Sequence, residues 1–542
     1  MYLERKTKMK KLISVVLILV FLFSLCGCNE VENSSEPAET TTENESKISE
    51  KMTLLYSDTD TFNPYDAKTE INRQLCHLLY EPLVKLDNEF KPHYSVASSV
   101  KIDKDVCTVK IRDILFSDDT SVTADDVIYS YKLAKKSTTI YKYKLYEVES
   151  VRAIDSKTVE FKLKKQDPYF MNMLDFPIIK AGSDKKTDSD SVRVAPTGCG
   201  RYKLNKLESS LLQNVNYHGK AGSIKKIEFI NAPDTESVSH YVEIGASDIY
   251  YSDISDGTIY RMSGAKTDIN LNNVVYIGVN FKDSRLELNE LRQALSSGID
   301  RQKICKGAYY GNAVAATGFF HPVWEPTKAL QNIQITANSQ ITIENLKEIG
   351  YNDLDRDGYL RKGNSVLRFS LLVNKENSAR VQAANLIAKQ LKEYGIGVRV
   401  VKVSFKEYKK RLKEGDFELY LGEVKITENM DLGSLVSVDG SAAFGIKAAG
   451  KGKKEDNTNN DDAQTEKPND KELLDCARII NGFYKGKNSI NDVAATLQSD
   501  MPIIPICYRT GVLIRNENIE GVDNASVSDI YFSIESYKIK LD

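Results

Sequence analysis

The apolar positions of this chain change rhythm several times, and each change marks a boundary. Leu12 to Leu25 is apolar apart from Ser14 and Ser24. That run is short of the ~20 residues needed to cross a membrane, and the basic front Arg5, Lys6, Lys8, Lys10 and Lys11 gives it the layout of a secretion signal. Met9-Lys10-Lys11 would make an equally conventional start. Asn29 to Glu50 then holds seven glutamates and little that is apolar, a composition that predicts a disordered tether over 28–50. Such a segment spans roughly 25 Å root-mean-square.

From Met52 onward the periodicities are those of a folded body. Thr53 to Tyr56 reads as a strand, Asn63-Pro64 as a turn, and Ile71 to Tyr80 as a helix with Leu75, Leu78 and Leu79 on one side. Val159 to Leu163 alternates as a half-buried strand does, and Val274 to Asn280 reads as a buried strand. Leu291 through Ile304 predicts one amphipathic helix. Leu367, Phe369, Leu371 and Val373 alternate, a helical face of Val381, Ala384, Ile387, Leu391 and Tyr394 follows, and Gly395 leads into a second alternating run at Ile396, Val398 and Val400. This is a βαβ pattern, which implies a parallel sheet. A strand is expected at Phe417–Gly422, a mobile polar insertion over 449–470, a helix from Leu473 to Tyr484 and a strand at Met501–Tyr508.

Composition narrows the function classes. Of 542 residues, 27 precede Cys28, and the remaining 515 exceed what one core usually serves. Five of the 74 basic and one of the 76 acidic residues belong to those first 27, so the remainder carries a net charge of −6 and shows no basic excess for nucleic acid. Six cysteines lie beyond Cys28 without a C-x-x-C pair, which leaves buried free thiols as the expectation. His77, His93, His218, His240 and His321 are dispersed, with no H-E-x-x-H and no i, i+4 pair. Ser-x-x-Lys at Ser98 and Ser263 lacks the partner motifs of an acyl-enzyme, and no G-x-S-x-G occurs. Asp353, Asp355, Asp357 and Gly358 imitate a calcium loop, but its twelfth position is Asn364. No enzyme, cofactor or metal site is expected.

Several blocks carry a resemblance. Leu25-Cys26-Gly27-Cys28 resembles a bacterial lipobox, which implies cleavage after Gly27 and lipid on the Cys28 thiol. Phe62-Asn63-Pro64-Tyr65, Leu79-Tyr80-Glu81-Pro82-Leu83-Val84, Phe116-Ser117-Asp118-Asp119-Thr120 with Val122 to Ser130, Pro196-Thr197-Gly198-Cys199-Gly200-Arg201-Tyr202, Leu291 to Arg301 and Met501 to Tyr508 are similar to the solute-binding lipoproteins of oligopeptide and dipeptide ABC importers. That family usually has glycine where Asp119 stands, and Thr and Pro where Cys199 and Arg201 stand. Beside the resemblance, Thr123 and Asp126 read as a capping box, so the nearby aspartates are assigned to caps and turns.

The resemblance implies an α/β, two-lobed periplasmic-binding-protein-like fold with an additional subdomain in the first lobe. It places the first lobe at 51–83, 190–272 and 509–542, the subdomain at 84–189 and the second lobe at 273–508. It implies an extracytoplasmic protein anchored to the cell membrane by N-terminal lipid, monomeric, with a peptide or peptide-like solute and ABC transporter permease subunits as partners and no nucleic acid. An extracytoplasmic sensor signalling through a protein partner is the alternative on the same fold. In that family a carboxylate just beyond the strand ending at Gly422 meets the peptide ammonium; by position this is Asp431, with Glu423 and Asn429 beside it. The alternative has these acids facing solvent. Phe319, Phe320, His321 and Trp324 form either a satellite core or part of a ligand-facing wall, with Phe320 and Trp324 the candidate ligand contacts.

Overall fold

The computed structural model describes residues 47–185, 195–205, 209–254, 264–330, 333–437, 440–446 and 468–541. The signal segment, Cys28 and residues 449–467 of the expected insertion lie outside them, whereas its last three residues begin helix Pro468–Tyr484, which starts before the expected Leu473. The last residues assigned to the tether belong to the fold: Ile48 and Ser49 pair antiparallel with Lys540 and Ile539. Among the described residues no helix is long and apolar enough to cross a membrane.

A four-stranded sheet opens the first lobe, in the order Lys51–Tyr56, Lys226–Asn231, Ser210–Gln213, Tyr202–Asn205. The first pair is parallel and the others antiparallel. Between the first two of these strands in sequence lies an antiparallel sheet ordered Ala97–Asp103, Val106–Ile111, Thr158–Leu163, Val148–Asp155. Its inward residues Val109, Val159 and Phe161 join Met52, Leu54 and Leu75 in one buried cluster, so this added sheet shares the core of the first lobe. Helix Ala124–Lys136 begins as the capping pattern predicts: Asp126 Oδ2 accepts the Thr123 backbone N–H at 2.9 Å. Asp119 has φ +66, the left-handed conformation that explains why glycine suits that position. Gly198 and Gly200 run against the backbone of Leu78–Tyr80, where a Cβ would meet the Leu79 carbonyl oxygen at 2.1 and 2.5 Å.

The second lobe is built on a seven-stranded sheet, in the order Ile249–Ser252, Ile503–Arg515, Ala265–Val279, Leu419–Lys425, Arg368–Asn374, Gly397–Val403, with Ala313–Ala315 added to Ile503–Arg515. Arg368–Asn374 and Gly397–Val403 are parallel and joined by helix Ser378–Lys392, the expected βαβ unit. The predicted helix from Leu291 to Ile304 is instead two, Asn289–Ser297 and Arg301–Ala308. Gly298 ends the first, and Asp300 caps the second by accepting the Lys303 N–H at 3.1 Å. The apolar spacing runs through the break, which is why periodicity alone reads one helix.

Ala265–Val279 and Ile503–Arg515 join the lobes. They pair antiparallel from Ala265↔Arg515 to Gly278↔Ile503, with register shifts at Asn270/Val274 and Val275/Tyr276. Ile269 and Leu513 belong to the first core, whereas Val274–Val279 and Ile503–Tyr508 belong to the second. One two-stranded ribbon therefore passes through both cores, and its ladder is irregular between them.

Candidate functional site

A cavity of about 320 Å³ lies where the lobes face each other. Its wall combines Pro64, helix Glu70–Leu79, residues 138–144, Tyr251, Leu271, Asn273, Lys425 and the 527–530 segment. The helix explains the charge on one side. Ile71, Leu75, Leu78 and Leu79 bury its apolar face, so Glu70, Arg73, Gln74 and His77 turn to the cavity. Arg73 pairs with Glu70, and Gln74 Nε2 donates to Glu70 Oε1 at 3.1 Å. Burial depresses the His77 imidazole and keeps it neutral near pH 7.

Opposite this helix, Lys144 bridges the lobes. Its Nζ donates to Asp175 Oδ2 at 2.6 Å in the first lobe and lies 3.0 Å from Glu428 Oε1 in the second. Burial acts to lower this ammonium, but the two carboxylates together raise it. The Asp175 carboxyl is pushed up, chiefly by burial, with Lys144 holding it down. On the floor, Asn273 and Lys425 sit directly across the ladder from each other. Lys425 is exposed on the cavity wall, and desolvation by the protein around it pulls its ammonium below the ordinary lysine range.

The five residues expected to touch ligand are placed elsewhere than on this wall. Asp431 Oδ2 accepts from Lys165 Nζ of the first lobe at 2.8 Å, and its Oδ1 accepts the Gly433 N–H at 2.8 Å. Asn429 Nδ2 donates to Asp167 Oδ2 across the same seam at 2.7 Å. Glu423 is buried between Arg380 at 3.1 Å and Arg509 at 3.7 Å and accepts from Asn273 Nδ2 at 3.1 Å. Trp324 and Phe320 are buried in the second core with ring centroids 5.5 Å apart. Trp324 also meets Tyr169 of the first lobe edge-on at 4.8 Å. The seam continues through Phe90 against His321 at 5.0 Å and Asn172 Nδ2 donating to the Glu428 carbonyl at 3.0 Å. The Asp355 and Asp357 carboxylates of the calcium-like turn are occupied by the Arg368 guanidinium, at 3.2 and 2.9 Å.

Reasoning from sequence missed Glu70, Arg73, Tyr141, Lys144, Asn273 and Lys425. One signal was present: Lys425 follows Glu423 by two residues in a strand, so the two share a face. Which face meets the cavity depends on register with Ala265–Val279, which periodicity does not encode.

The family profile described as "Bacterial extracellular solute-binding proteins, family 5 Middle" matches residues 91–442. The chain belongs to this family of solute-binding proteins. Among curated relatives it is 26% identical to the oligopeptide-binding protein AppA of Bacillus subtilis over 417 residues, 73% of this chain and 76% of AppA. It is 20% identical to OppA of the same organism over 97% of this chain and 99% of OppA. Among solved structures, AppA of B. subtilis in complex with a nonapeptide superposes with a TM-score of 0.53 at 20% identity, covering 91% of this chain and 99% of AppA. NikA of Brucella suis in complex with Fe(III)-EDTA gives 0.64 at 15% identity over 90% and 99%. The chain thus has the two-lobed solute-binding fold.

Proposed function

We propose that the protein is a lipid-anchored extracytoplasmic receptor that captures a small peptide-like solute between its lobes and delivers it to an ABC permease. The observation that carries this reading is the cavity itself, lined from both lobes and including Leu271 and Asn273 of the strand that passes between them. A site divided between two bodies binds most tightly when they close, so ligand shifts the population toward the closed arrangement. The peptide assignment is supported by the relatives AppA and OppA, both oligopeptide-binding proteins. The charged groups at intervals around the cavity suit a solute with charged ends and main-chain donors and acceptors.

In this reading Asp431, Asn429 and Trp324 act at the seam, closing the receptor over its solute, while Phe320 and Glu423 support the second lobe beneath it. Cys28 carries the lipid that keeps the receptor beside the permease. Native mass spectrometry of the purified mature chain is the test. A co-purifying mass that fragments as a peptide is expected; a metal chelate or a sugar in its place overturns the peptide assignment.

A further inference from the structure

We propose that Lys425 is the specificity-determining residue of the cavity and receives a carboxylate of the solute, so that the receptor selects peptide-like acids with a free carboxylate. The proposal deepens the reading of the cavity as the solute site and rests on it.

The geometry presents this side chain to the cavity by construction. Lys425 ends strand Leu419–Lys425, and the next residue is clamped on both sides: the Ile426 N–H donates to the Asn272 carbonyl at 3.0 Å, and the Ile426 carbonyl accepts from Asn272 Nδ2. The strand end is therefore fixed, and Lys425 is held opposite Asn273 on the cavity floor. The neighbouring cations already have partners. Arg73 is paired with Glu70, and Lys144 lies between Asp175 and Glu428. Glu423, on the same strand face, is taken by Arg380 and Arg509. Lys425 forms no ion pair or hydrogen bond with any described residue. Glu428, Glu70 and Asp253 favour its charged form from longer range, and Lys144 disfavours it. When the lobes close on a solute, water leaves this exposed ammonium, and a carboxylate brought by the solute supplies the partner it then needs. Asn273, its Nδ2 given to Glu423, offers the solute its carbonyl oxygen beside the lysine. The cavity volume is at the small end of the range for small-molecule sites, roughly 300–1,000 Å³.

The test uses pools of di- and tripeptides with a free C-terminus, the same pools C-amidated, and thermal-shift and calorimetric titration of the mature chain. The free pool is expected to bind at least tenfold more tightly than the amidated pool. Lys425→Met is expected to remove that preference and Lys425→Arg to retain it, with the unliganded melting temperatures of both variants near that of the wild type. Equal binding of the two pools by the wild type, or a preference that survives in Lys425→Met, overturns the proposal. If neither pool binds, the peptide reading fails separately, and the same proteins are titrated with non-peptide carboxylic acids and their methyl esters. A wild type that then binds no acid better than its ester, or no better than Lys425→Met does, overturns the role of Lys425 itself.

Discussion

Asp167 of the first lobe and Asn429 of the second meet in a buried hydrogen bond, Asn429 Nδ2 donating to Asp167 Oδ2 at 2.7 Å. Burial pushes the Asp167 carboxyl up to about 6, although Asn429 and the Tyr169 N–H both favour its charged form. Asp431 and Lys165 flank it with opposite effects. When the lobes part, water returns and the carboxyl falls toward the ordinary value of about 3.9. A carboxyl whose value is higher in the closed state binds its proton more tightly there. Closure is therefore favoured as pH falls through about 6, and the effect is lost as pH rises above it. Solute binding at pH 5.5 should take up protons, measured by calorimetry in two buffers of different ionisation heat, and Asp167→Asn should abolish that uptake. Proton release by the wild type would exclude this account.

Lys165 and Asp431 form a partly exposed pair across the same seam, with 34% and 19% of their side-chain surfaces accessible. A pair of this kind contributes roughly 0.2–1 kcal/mol, so Asp431→Asn should weaken solute binding less than tenfold. A direct partner of a buried ligand ammonium would cost ~3–5 kcal/mol, more than a hundredfold. Titration of the variant with the co-purified solute separates the two roles.

Arg201 is buried with Asp529 at 2.7 Å and Glu535 at 2.8 Å, and Lys85 joins Asp529 at 3.3 Å. Burial opposes ionisation of Asp529, but Arg201 and Lys85 outweigh it and hold the carboxyl at about 2. Its contribution is thus present above about pH 4 and lost as pH falls toward 2. Asp529→Asn should destabilise the first lobe by ~3–5 kcal/mol, seen as a lower urea midpoint, and adding Arg201→Met should recover part of the loss. Additive losses in the double variant would argue that the two residues act independently.

Cys28→Ser should release the protein from membranes or leave its signal uncleaved. Fractionation and intact-mass measurement check this, and a processed, membrane-bound wild type without lipid would remove the anchor from the account.

The elements that periodicity predicts here are those whose signal is local. Thr123 and Asp126 cap a helix through atoms three residues apart, and the βαβ unit from Arg368 to Val403 repeats its apolar spacing within each element. The arginine at 201, unexpected from the resemblance, is paired with Asp529 and Glu535, more than three hundred residues away. Phe320 and Trp324 read as a wall or a core from sequence; both are buried, and Tyr169, which meets Trp324 edge-on, comes from the other lobe. The candidate cavity was the least legible feature, because its residues reach one another through strand register and lobe packing.

The position of Val527, Ser528 and Ile530 in the cavity wall bears on when the receptor can first be filled. A chain made from its N-terminus folds its earlier parts first. Here the earlier parts leave one side of the cavity open until the 527–530 segment docks, where Arg201 seizes Asp529. Until that segment docks, the candidate cavity lacks one side of its wall.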